Sequence, residues 1–188
     1  WKVRPWGRRP ILAALPSSQI RALGTEDLRA LDSADLAMLS STQVGALSSA
    51  QLLAIDSADM VGLSTDAIGG LGTAQVAALG SAQLAALGTD QLAALGSAQV
   101  RALTSEQLAS LTTDDLNALT SEQFQALSSA QIAALTSTQI GKLESTDLAA
   151  LSTAQLRAIT SDGLTALDSA DLAALTSTQV TALNTAQF

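Results

Sequence analysis

The chain has no cysteine, no histidine and no tyrosine, and only two Trp and two Phe among its 188 residues. Without Cys there is no disulfide framework and no thiolate zinc site, and thiols say nothing of redox compartment. Without His the commonest general base and metal ligand is missing. Few aromatics means that no large rings fill a globular core. A core must therefore be a thin, repeated layer of Leu, Ile, Val and Ala. Charge of one sign is scarce too: nine Lys and Arg stand against seventeen Asp and Glu, a net of −8. That balance argues against nucleic acid or an anionic membrane as partner, since both need clustered cations. No apolar run approaches the roughly 18 residues of a membrane-spanning helix, which excludes membrane insertion by that route. Glycine recurs every eighth residue rather than in a phosphate-binding loop. Cofactors and small-molecule substrates thus have no recognisable motif.

What is present is a period. From Leu15 to Leu183 every eighth residue is Leu or Ile, in 22 consecutive registers without insertion. Counting that residue as position 1, position 2 is Ser, Thr, Asp, Gly, Asn or Glu in every octad but the first, which has Pro16. Position 3 is always Ser or Thr. Position 5 is Gln or Asp except at Ala67 and Gly163, and position 6 is a medium or large apolar residue throughout. Position 8 is nearly always Ala, with Met38, Gly62, Gly70, Ser110 and Lys142 as departures.

Physics separates three ways of carrying such a period. A continuous α-helix advances about 80° per octad, so its apolar row would wind around the helix and form no stripe. A β-solenoid fails on parity, because aliphatics five apart point to opposite faces of a strand. A series of very short helices remains, and the fold class is accordingly an all-α solenoid, about one helix per octad. Position 2 supplies an N-cap and position 5 completes a capping box, as in Thr104 with Gln107 and Ser128 with Gln131. Position 1 then precedes the cap and position 6 is the fourth helical residue. These make a hydrophobic staple, Leu103 with Leu108 and Leu127 with Ile132. Helices below about 12–15 residues are marginal in water, so neighbours must hold each one and the array should fold cooperatively. The small residue at position 8 lets helices approach closely. The position-3 hydroxyl is expected to bond backbone at the turn between octads.

Residues 1–12 stand apart as a basic Trp- and Pro-containing leader or cap, with Lys2, Arg4, Arg8 and Arg9 and no acid. Residues 13–188 form the octad solenoid. Trp1, Trp6 and Phe188 are candidate end-docking residues, since the sequence stops inside an octad with no visible cap and lacks an initiating Met; it reads as a fragment. Gly72, Gly80, Gly88 and Gly96 occupy the cap position and fit tight or left-handed turns. Gly69-Gly70 lowers helix propensity and suggests a local bend.

Candidate chemistry is sparse. Asp32/Asp35, Asp56/Asp59 and Asp168/Asp171 share a spacing of three, but capping explains them better than calcium, because a bidentate Glu and further oxygen ligands are missing. Serines are abundant but none has a base, so no catalytic residue is assigned. Arg21, Arg29, Arg101 and Arg157 share position 7 and read as solvent-facing.

Units such as Leu-Thr-Ser-Glu-Gln-Leu-Ala-Ser (103–110) and Leu-Ser-Ser-Ala-Gln-Ile-Ala-Ala (127–134) resemble octapeptide-repeat arrays of large secreted or surface proteins of Gram-negative bacteria. The resemblance covers residues 15–188 and supplies no functional residue. It implies a non-enzymatic stalk, spacer or fibre subunit outside a bacterial cell, with end-to-end self-association or modules of a longer chain as partners. A protein-binding α-solenoid, reading through positions 4 and 7, is the alternative.

Overall fold

The computed structural model describes residues 8–184 and Gln187, with side chains from Ile11 onward. Among them the chain is all-helical, with twenty-one short α-helices and one 3-10 helix running from Arg8–Ala14 to Ser177–Ala182. Each octad has the same build. In the octad at Leu103, that residue and Thr104 are both extended (φ −58°, ψ 136° and φ −75°, ψ 157°), and the helix Ser105–Ser110 follows at once. Two extended residues are the whole connection. The cap begins the next helix directly after the elbow, which is why the period admits no insertion.

No described residue has a positive φ, glycine included. The left-handed turns expected of the cap glycines are therefore absent. Gly72, Gly80, Gly88 and Gly96 have φ between −75° and −66°, the conformation that Ser and Thr adopt in other octads. Glycine is needed instead where coils touch. A methyl group on Gly70 would lie 2.5 Å from the Ser41 carbonyl oxygen, one on Gly45 2.7 Å from that of Gly70, and one on Gly62 would overlap the Ser33 backbone. Gly70 thus sits at a close contact between coils, and the helix Thr65–Gly69 forms as in other octads.

Positions 1 and 6 are the core. Leu28, Leu36, Val44, Leu84, Leu92 and Phe124 are fully buried at position 6, and position-1 residues from Leu31 through Ile159 are nearly so. Positions 2, 4 and 7 face outward, with few exceptions. The burial is made between coils of the chain. The chain divides into two compact units, Trp1–Leu95 and Gly96–Phe188. Within the first, Ser33–Leu36 packs on Ser57–Gly62 and Ser41–Ala46 on Thr65–Gly69. Within the second, Ser97–Ala102, Ser121–Ala126, Ser145–Ala150 and Ser169–Ala174 form a column, each packed on the next. Partners are three octads apart in both units.

The helix Arg8–Ala14 crosses the boundary expected at residue 12. Its Leu12 is buried, like a position-6 residue.

Because the cap glycines hold a conformation open to any residue, Gly80→Ser and Gly88→Ser should each stabilise by about 0.5–1 kcal/mol, through lower unfolded-chain entropy and a restored cap hydroxyl. Gly70→Ala should cost about 1–3 kcal/mol through overpacking. Urea unfolding midpoints of the three variants test both signs.

Candidate functional site

The buried polar residues of the described chain are almost all position-5 side chains, among them Gln43, Gln51, Gln83, Gln131, Gln155 and Gln179. Their geometry repeats. In Gln83 the amide oxygen accepts from the Gly80 backbone N–H at 3.1 Å, which is the capping-box half expected at this spacing. The amide nitrogen turns the other way and donates to the carbonyls of Leu52 at 2.8 Å and Ile55 at 2.9 Å, 31 and 28 residues earlier. Gln131 does the same with Val100 and Leu103, and Gln155 with Phe124 and Leu127. Gln43 reaches Leu12, Ala13 and Leu15.

The accepting carbonyls belong to positions 6 and 1, joined or replaced in some octads by position 7, at the C-terminal end of a helix. The last carbonyls of any helix lack intrahelical partners, and a helix of five residues consists of little else. One glutamine amide therefore closes the start of its own helix and the end of a helix in the coil below. Helix contacts fall three octads apart and these bonds three and a half to four, so one turn takes roughly 28 residues. Gln19, in the first octad, is exposed.

Aspartate at position 5 changes the bond. Having no donor, it accepts instead, and at Asp59, Asp147 and Asp171 it reaches position 3 of the octad 26 residues before. The Ser121 hydroxyl donates to Asp147 at 2.6 Å, the Ser145 hydroxyl to Asp171 at 2.7 Å, and the Ser33 N–H to Asp59 at 2.9 Å. These position-3 groups thus bond across coils, where the sequence had suggested the turn between octads. With Asp59 turned toward Ser33, Asp56 caps Ala58 N–H, and this octad is the 3-10 helix Ser57–Gly62. Asp32 and Asp168 act as N-caps to Asp35 and Asp171. Among the described residues no group of three or more Asp or Glu could hold a metal ion.

The remaining expected residues fall as follows. Thr104 Oγ1 accepts from Gln107 N–H at 3.1 Å and Ser128 Oγ from Gln131 N–H at 3.3 Å. Leu103, Leu108, Leu127 and Ile132 are all buried. Position-7 arginines are less idle than their exposure suggests: Arg157 Nε donates to the Ala182 carbonyl at 2.7 Å and Arg101 Nε to that of Ala126 at 3.3 Å, while Arg29 pairs with Glu26. Trp1, Trp6 and Phe188 lie outside the described residues. An open groove bounded by Arg21, Leu23, Ala46, Ser48 and Gln51 follows the seam between coils.

The amide's outward bond was missed in the sequence, yet one signal was available. A capping box accepts Glu as readily as Gln, but Glu never occurs at position 5 in 22 octads. Where the residue is not the shorter Asp, which finds donors of its own, the exclusion of Glu points to a side chain that must donate.

A family profile, the ALTTAQ repeat, matches residues 20–54, 52–89, 81–113, 109–144 and 140–170. The chain belongs to the ALTTAQ-repeat family. Read as residues, those letters run from position 8 through position 5, as in Ala46-Leu47-Ser48-Ser49-Ala50-Gln51. The ALTTAQ match 20–54 is also long enough to contain one complete glutamine lock, the bond of a position-5 amide to carbonyls of the preceding coil, here Gln51 Nε2 donating to Ile20, Arg21 and Leu23. Curated proteins gave no match to the chain.

Gln83→Glu would set a buried carboxylate against two carbonyl oxygens and should destabilise by about 3–5 kcal/mol at neutral pH, whereas Gln83→Leu should cost about 1–3 kcal/mol for carbonyls left unpaired. Denaturant titration of the two variants side by side checks the order as well as the size.

Proposed function

We propose that this ALTTAQ array is a non-enzymatic structural spacer whose length is set by the number of octads. The observation that carries this reading is the allocation of side chains. Positions 1, 5 and 6 are consumed by contacts between coils, and the outward positions 2, 4 and 7 are mostly Ala, Ser, Thr, Gly or acid. Such a surface offers solubility and few anchors, since binding hot spots favour Trp, Tyr and Arg. A secreted or cell-surface setting on a bacterium is part of the proposal, supported by the acidic, Cys-free composition. Growth by added octads also suits association through coil faces. Leu172 and Val180 are each 48% exposed at position 6, so a further coil, from a longer chain or a second copy, would cover them. Heterologous contacts of this kind generate filaments when they do not close.

A second reading as a protein-binding solenoid is favoured by Met38, Leu53 and Val61, large apolar side chains exposed in the first unit.

Scattering from arrays lengthened by whole turns of octads should give a maximum dimension that grows in equal steps; a dimension growing as the cube root of mass would reject the spacer. Leu108→Asp should unfold adjoining coils together, visible as loss of amide protection beyond its own octad. For the binding reading, a partner captured by the chain should be lost on Leu53→Asp with Val61→Asp while the fold is kept.

A further inference from the structure

We propose that Asp147 is a proton-dependent latch, which holds the helix Ser145–Ala150 to Ser121–Ala126 more tightly in acid than at neutral pH. Asp147 occupies a place that glutamine fills in most octads, and it is only 4% exposed. Asp27 and Asp59, which accept one bond each, are less buried, and two other aspartates in that place accept two bonds. Asp171 accepts from the Ser145 hydroxyl with one oxygen and from the Asp168 N–H with the other. Asp115 accepts both the N–H and the hydroxyl of Thr112. Asp147 has the Ser121 hydroxyl at 2.6 Å as its hydrogen-bond partner and no capping box, because its octad carries Glu144 at the cap, with no side-chain cap bond.

The charged residues on the elements packed against its helix are all acidic. The helix packed below brings Glu122, the helix packed above brings Asp168 and Asp171, and Glu144 is on the same helix start. Lys142, the nearest cation in sequence, is exposed and makes no ion pair among the described residues. A carboxylate taken from water with one donor and no counter-charge disfavours ionisation. Burial accordingly raises the pKa of Asp147 above its ordinary 3.8, the Ser121 bond lowers it in part, and Glu144 raises it further. Between the ordinary value and the raised one, the folded chain binds more protons than the unfolded chain. Stability from this group is therefore gained as pH falls through the folded pKa and lost as pH rises through it. The protonated acid also acquires an O–H, so that it resembles the glutamine amide in having both a donor and an acceptor.

The test follows urea midpoints from about pH 7.5 down to about pH 4 for the full chain, Asp147→Asn, Asp147→Gln and the exposed-acid control Glu106→Gln. The wild type and the control should gain stability on acidification relative to the two Asp147 variants, which should start from a higher neutral midpoint. Equal pH dependence in wild type and both variants overturns the latch. So does a carboxyl carbon resonance of Asp147 that titrates at or below the ordinary value.

Discussion

The structure depends on how the ends of a very short helix are satisfied. A helix of four to seven residues has nearly all its backbone groups within a turn of one terminus, so intrahelical bonding leaves most of them unpaired. Here a single glutamine amide meets both demands. Its oxygen closes the start of its own helix and its nitrogen closes the end of a helix one coil earlier. The same bond that makes the local helix possible ties coil to coil, so local and tertiary stability are one term. An array built this way has no stable isolated octad, and its cohesion comes from the coil beneath, not from the neighbour in sequence.

That constraint orders the rest of the octad. The elbow of two extended residues brings position 1 and position 6 to the interior while keeping position 5 against the preceding coil. Approach is close enough that Gly45, Gly62 and Gly70 meet backbone directly, at sites where a Cβ would intrude. Aspartate at position 5 finds donors of its own, from a serine 26 residues earlier at Asp147 and Asp171 and from the Thr112 cap at Asp115. The exchange is not neutral. It replaces an amide that donates to carbonyls with a charge that must be desolvated, and at Asp147 little compensates it.

The outward positions carry what the lock leaves over. Small polar residues and acids on the helix starts, with arginines at position 7, agree with the sign of the helix dipole at each end. Arg101 and Arg157 go further and donate to carbonyls of the coil above. Even the exposed surface is thus partly spent on joining coils, which fits a spacer better than a recognition face.

Much of this was legible in eight-residue spacing alone. The short helices, the caps at Thr104 and Ser128 and the buried pairs at 103/108 and 127/132 follow from residue types at fixed offsets, because capping and stapling act within five residues. The glycines were the least legible, since composition does not tell a cap glycine in the ordinary extended conformation, such as Gly80, from one that lies against another coil, such as Gly70 beside Ser41. The outward bond of glutamine, the number of octads per turn and the environment of Asp147 were decided by tertiary structure. Each joins groups 26 to 31 residues apart, and a strict period makes every such pairing look alike until the coil is closed.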